Sequence, residues 1–141
     1  MSTKAVAVKA ALKTLLAGQQ IVVTDKVQVT YGFPTRSPDK KWAVVGDVRW
    51  ESAEWATNRS RTESFAVDVV FSVQVAGGTS EECESYAIRL AAEFEDALRA
   101  DASIGGRCIT SGFIPRSMKS WPIDGGYESQ FETEVRASCR P

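Results

Sequence analysis

The segment Phe65–Val75 restricts the fold of this chain more than any other stretch. Phenylalanine or valine occupies every second position, and all but one of the residues between them are small or polar. Side chains of a β-strand point alternately to the two faces of a sheet, so this pattern predicts a strand with one buried face. Such a strand needs strands beside it and a layer that covers its apolar face.

Four more segments are predicted to be strands. Trp42 to about Ala56 and Tyr127–Cys139 are long, while Ile21–Tyr31 and Arg107–Ile114 are supported by shorter patterns. The last strand places a row of polar residues on one face: Glu128, Gln130, Glu132, Glu134 and Arg136. Proline and glycine interrupt residues 32–41 and 115–126, which are predicted to be loops, and residues 57–60 are predicted to be a turn.

Two segments show the helical period. Apolar residues fall on one face of Thr3–Ala17 and again on one face of the stretch that follows Gly78. Thr79 and Glu82 form a capping-box pattern at the start of the second helix. The order α-β-β-β-α-β-β therefore predicts a single α+β domain over residues 1–141, with an antiparallel sheet of about five strands and two main helices on one face.

Composition excludes several classes of protein. The formal net charge of -1 gives no overall basic field for a nucleic-acid backbone. Histidine is absent, which removes the commonest general base and the usual ligand of catalytic zinc. The apolar runs are too short for a membrane span, and the lysines near the amino terminus do not fit a signal peptide. We expect a protein without cofactor or metal that is made and kept in a cytosol-like compartment.

The three cysteines, Cys83, Cys108 and Cys139, form no CxxC pair. An odd and widely spaced set argues against a disulfide framework and against a zinc site. Without a histidine to activate a thiol, a structural role is favoured for all three.

Carboxylates give the main enzymatic alternative. Glu132 and Glu134 lie about 7 Å apart on one face of the last predicted strand, a separation that suits a two-carboxylate hydrolase. A solvated strand face explains the same pair without any chemistry, and nothing in the sequence marks a pocket around them. The solvated face is therefore the favoured interpretation.

Tryptophan and arginine near predicted loops favour protein binding. Both residue types are enriched at protein interfaces. The candidate interface residues are Arg49, Glu51, Trp55, Arg59, Arg61, Arg116 and Trp121. A nucleic-acid patch of Arg36, Lys40, Lys41, Arg59 and Arg61 with Trp55 is the weaker alternative, because the polar faces of the second helix and the last strand are acidic.

Taken in order, these segments resemble the tail terminator (tail completion) proteins of long-tailed bacteriophages, and in particular small versions from phages of actinobacteria. The resemblance rests on "VQVTYGFP", on "WAVVGDVRWESAEWA" with its arginine-rich turn, on "GGTSEECESYAIRLAAEFEDALRADASIGG" and on the final strand that closes on "SCRP". It implies a non-enzymatic virion protein made in the bacterial cytoplasm. The implied subunits assemble as a homo-hexameric ring on the head-proximal end of the tail tube and stop its growth.

The resemblance also implies partners. They are the major tail tube protein below the ring and a head-tail connector or stopper protein above it, with DNA passing through the hole without sequence-specific binding. We expect the hairpin over residues 49–61 to supply one contact patch. We expect an acidic face, either Glu128, Glu132 and Glu134 or the second helix, to line the hole. A different head-tail connector or stopper protein remains the nearest alternative, and a small carboxylate-dependent hydrolase a more distant one.

Overall fold

A computed structural model describes the backbone of residues 3–33, 40–55 and 61–140, and the side chains of all of these except residues 52–55 and 61. The elements in chain order are α1 (Ala5–Ala17), α2 (Gln20–Thr24), β1 (Gln28–Tyr31), β2 (Lys41–Trp55), β3 (Arg61–Ala76), α3 (Ser80–Ala100), β4 (Thr110–Ile123) and β5 (Gly126–Cys139). The predicted α+β class is confirmed.

The five strands form one sheet in the order β1-β2-β3-β5-β4. The pairs β2/β3, β3/β5 and β4/β5 are antiparallel, as predicted. The pair β1/β2 is parallel, so the sheet is mixed. The prediction of a wholly antiparallel sheet is wrong at this edge because β2 begins beside the start of β1, with Trp42 opposite Gln28.

The main helices cover one face of the sheet. α1 packs over β1 and β2, and α3 packs over β3, β5 and β4. Apolar side chains that alternate along the strands meet the apolar stripes of both helices, and the rings of Phe71 and Phe94 lie 6.3 Å apart at the centre. At the start of α3, the hydroxyl of Thr79 accepts a hydrogen bond from the backbone N–H of Glu82 at 3.2 Å, as the capping pattern predicted.

The segment Ile21–Tyr31 is not one strand. Its first part is α2, and only Gln28–Tyr31 joins the sheet. Ile21 and Val22 are adjacent and both buried, which suits a helical turn better than a strand, where neighbours point to opposite faces. Lys26 then adopts a positive φ of 54° and redirects the chain into β1.

β4 is much longer than the predicted strand at Arg107–Ile114. It continues to Ile123, so most of the predicted loop at residues 115–126 is strand and Trp121 lies on β4. β4 is an edge strand whose described neighbour is β5, and prolines such as Pro115 and Pro122 are compatible with an edge because they need no outward partner for an N–H group. Gly125, with a φ of 80°, completes the tight turn into β5.

Candidate protein-interaction surface

The sheet face opposite α1 and α3 carries no helix among the described residues, and we call it the open face. The buried residues of all three helices pack into the core on the opposite face of the sheet. Because strand residues alternate between faces, the polar row predicted for β5 lies on the open face together with the residues opposite it on β3, β2 and β4. The open face therefore gathers charged residues that are far apart in the sequence.

Glu134 is the centre of this arrangement. Its exposed fraction is 1%, although it lies on the open face. Its oxygens face three arginines: Arg116 Nη1 at 2.5 Å, Arg49 Nη2 at 3.3 Å and Arg136 Nε at 3.6 Å. A buried carboxylate needs such partners because it has lost its water. The prediction of a solvated strand face is thus wrong for Glu134, since arginine side chains cover it.

Arg49 ties β2 to this cluster. Its Nη1 donates to Asp68 Oδ1 at 2.5 Å on β3, while its Nη2 donates to Glu134. The hydrogen bond with Asp68 is the largest of the effects that raise the pKa of Arg49, so the guanidinium stays charged. Glu51 extends the network by pairing with Arg136 at 3.3 Å.

A bulge in β2 puts Arg49 on the open face. The register shifts between Val45 and Val48, so both valines point toward the core and Arg49 pairs with Ala66 on the other side. Trp50 therefore turns toward the helix side, where its ring lies 6.5 Å from Phe65, yet half of it stays exposed.

The hydrogen-bond partners of the two remaining acids on the open face of β5 are uncharged side chains. Glu132 accepts a hydrogen bond from the hydroxyl of Ser117 at 3.1 Å. Glu128 accepts from the indole Nε1 of Trp121 at 3.1 Å and from the hydroxyl of Ser72 at 3.3 Å. Trp121 is thereby anchored to the sheet by its polar end, which fixes the orientation of this candidate interface residue.

A cleft of about 430 Å³ opens on this face. Its walls carry both signs of charge and one exposed aromatic ring, and they include Phe33, Asp47, Arg49, Asp68, Arg116 and Glu132. Such a mixed lining suits side chains of another protein better than a ligand of one charge sign.

The structure brings together two sets of residues that the sequence suggested for different roles. Of the candidate interface residues, it places Arg49, Glu51, Arg116 and Trp121 on the open face, beside Glu128, Glu132 and Glu134. Trp55 and Arg61 pair at the far end of the β2–β3 hairpin, and their side chains are outside the description. Arg59 and Arg36 lie outside the described residues, as does the predicted turn.

Sequence reasoning missed Asp68 and Arg136 as members of the cluster. A signal was present for Asp68, because it is the one charged residue within the apolar strand at 65–75. Its alignment with Glu134 needs the β3/β5 register, which the sequence does not give.

The described residues include no group of three or more histidine, cysteine or acidic side chains that could hold a metal ion. Within the same part of the chain, no helix has the length and apolarity that a membrane crossing requires. Both oxygens of Glu134 are occupied by arginines, which makes it a structural carboxylate in a charge network.

In the described residues, these features define an α+β domain with one helical layer and one open, charged sheet face. No protein-family model and no curated protein matches the sequence. The fold is similar to that of a chain in a solved structure described as the virion of a native gene transfer agent (GTA) particle, with a TM-score of 0.62, 12% identity and coverage of 94% of both chains. At this identity, the likeness establishes a shared fold.

Proposed function

We propose that this chain is a structural protein of a phage virion, and specifically a tail terminator. In this role, six copies form a ring on the head-proximal end of the tail tube, end its polymerisation and present a surface for head-tail joining. The observation that carries the proposal is the similarity of the whole fold to a chain of a gene transfer agent virion. The order of sequence segments that resembles tail terminators supports the finer assignment.

The open face is the surface we propose for protein contacts. Arg49, Arg116 and Arg136 are each about half exposed above the buried Glu134, and arginine is enriched at interfaces. Their charges are matched inside the subunit, so a partner can cover them without leaving a buried charge unpaired. A ring of identical subunits needs two different patches, and the part of the 49–61 hairpin that follows Glu51 is the second one that we propose.

For the lining of the hole, Glu128 and Glu132 are the open-face candidates that retain exposure. The exposed acids of α3, including Glu81, Glu82 and Asp96, are the other candidates. Either set would repel the DNA backbone and let it slide. Glu134 contributes to the support of the face and not to its outer charge.

The test is polymerisation of the major tail tube protein from the same phage, with and without this chain, imaged by negative stain. We expect short tubes that carry a distinct ring at one end. Trp55→Ala should restore long tubes if the hairpin docks, whereas Val6→Ala, at an exposed position of α1, serves as a control. Tubes of unchanged length without bound chain would refute the terminator role, and binding to a portal complex instead would support the connector or stopper alternative.

The lining is tested separately by DNA ejection from assembled virions. Glu128→Gln with Glu132→Gln should slow ejection if the open face lines the hole, and Glu81→Gln with Glu82→Gln should slow it if α3 does. Ejection that is unchanged in both double variants would rule out an acidic lining from either surface.

A further inference from the structure

Two of the three cysteines meet inside the protein. The Sγ atoms of Cys108 and Cys139 lie 2.9 Å apart, although the residues are 31 positions apart in the chain. Both side chains are buried and both are free thiols. Cys83 lies elsewhere, where its thiol donates to the carbonyl of Val73 at 3.1 Å. No sequence pattern indicates the pair, because the cysteines share no short spacing.

The backbone holds both members of the pair in place. Cys139 ends β5 and lies opposite Glu63 of β3. Cys108 precedes β4, and its N–H donates to the carbonyl of Ser103 at 2.8 Å. The next residue, Ile109, donates to Ser138 at 2.7 Å, which ties the two segments together directly beside the thiols. A shift of about 1 Å would bring the sulfurs to the bond length of a disulfide.

We propose that Cys108 and Cys139 form a reversible intrachain disulfide by exchange with a small-molecule disulfide. One protein thiolate attacks a sulfur of the small disulfide, whose S–S bond breaks and releases one small thiolate. The second protein thiolate then attacks the protein sulfur of the mixed disulfide and releases the other small thiolate. The two protons lost by the cysteines are taken up by the two released thiolates, and the two electrons pass from the protein sulfurs to the small disulfide.

The surroundings of the pair control the rate. Burial is the largest effect on both groups, and it raises the pKa of each thiol above its ordinary range. Glu63 acts in the same direction, whereas Arg107 beside Cys108 and Lys4 beside Cys139 oppose it. Little thiolate is therefore present at neutral pH, so exchange is slow there and accelerates about tenfold per pH unit below the pKa.

The inference is independent of the virion assignment and is tested on the purified full chain. We would incubate native protein with oxidised glutathione at several pH values, then measure the intact mass and map the peptides. We expect a loss of two hydrogen atoms, a peptide that links Cys108 to Cys139, reversal by dithiothreitol, and a melting temperature raised by about 10 °C in the linked form. The rate should rise with pH.

Variants separate this pair from other thiol chemistry. Cys83→Ala should form the link at the wild-type rate, whereas Cys108→Ala and Cys139→Ala should give only a mixed disulfide on the remaining partner. Circular dichroism checks that each variant folds, and the wild-type peptide map decides the question if one does not. Mixed disulfides without an intrachain link, a link that involves Cys83, or a link that forms only in denaturant would overturn the proposal.

Discussion

Replacing Glu134 by glutamine tests whether the buried carboxylate supports the open face. Glutamine keeps the shape of the side chain but removes its charge. The carboxylate accepts from Arg116 at 2.5 Å and from Arg49 at 3.3 Å, and a hydrogen bond to a charged group contributes about 1.5–3 kcal/mol. The amide retains one acceptor oxygen but turns an N–H₂ group toward an arginine, so the equivalent of one such bond is lost.

The size of the effect depends on water. The side chains of Arg49 and Arg116 are 46% and 52% exposed, so solvent screens part of the interaction and favours the lower end of the range. We expect Glu134→Gln to lower the free energy of unfolding by about 2 kcal/mol, or the melting temperature by about 5–7 °C. Urea unfolding followed by circular dichroism measures this, with a lower midpoint and an unchanged slope.

Glu132→Gln is the matched control. Glu132 lies two residues from Glu134 on the same face of the sheet, and it accepts a hydrogen bond from the neutral Ser117. We expect its free energy of unfolding to stay within about 0.5 kcal/mol of wild type. Equal losses in the two variants would refute the reasoning that the arginines make Glu134 special. The result also matters for function, because of the three acids on β5 only Glu128 and Glu132 can then be changed to test the lining without weakening the fold.

Two further outcomes follow from local contacts. Burial raises the pKa of Tyr86 above its ordinary value of about 10, and the 2.6 Å hydrogen bond to Asp25 raises it further. The tyrosine hydroxyl therefore loses its proton at lower pH in the unfolded chain than in the folded one. The free energy of unfolding should fall as the pH rises above about 10. We expect Tyr86→Phe to lower the free energy of unfolding by about 1 kcal/mol at neutral pH and to remove its decrease at alkaline pH. Equal slopes of the free energy of unfolding against pH in the two proteins would contradict this explanation. Gly126→Ala should cost more than about 2 kcal/mol in chemical unfolding, since its Cβ would collide with the backbone carbonyl of Val75. Gly112→Ala, whose Cβ would meet nothing within 4 Å, should change stability far less, and a similar loss in both would remove the steric explanation.

The parts of the fold with a strong period were predictable. β3 alternates over Phe65–Val75, β5 keeps its polar row on one face and α3 keeps its apolar stripe, so their approximate positions follow from side-chain geometry alone. The strand prediction at Ile21 was wrong because a short apolar run fits a helical turn and a strand equally well. The predicted length of β4 was wrong because its prolines predict a loop. Prolines are also compatible with an edge strand, and the sequence does not show which strand lies at an edge.

The candidate surface was predictable only in part. The polar row of β5 was visible as a pattern, and the arginines were visible as residues without a defined place. Their meeting at Glu134 depends on the β2 bulge and on the β3/β5 register, which are set by packing across the sheet. The contact of Cys108 with Cys139 has the same origin, because tertiary structure alone brings the two segments together.

The position of β5 has a consequence for synthesis. β5 follows every other strand in the chain, yet it lies between β3 and β4 in the sheet. Until β5 has left the ribosome, β3 is paired only with β2 and β4 lacks its described partner. Two long strand edges are then open to proteases and to aggregation. A chain that stops early therefore cannot complete the sheet that carries the arginine cluster. Only a chain that has been synthesised through Cys139 would present that surface to another molecule.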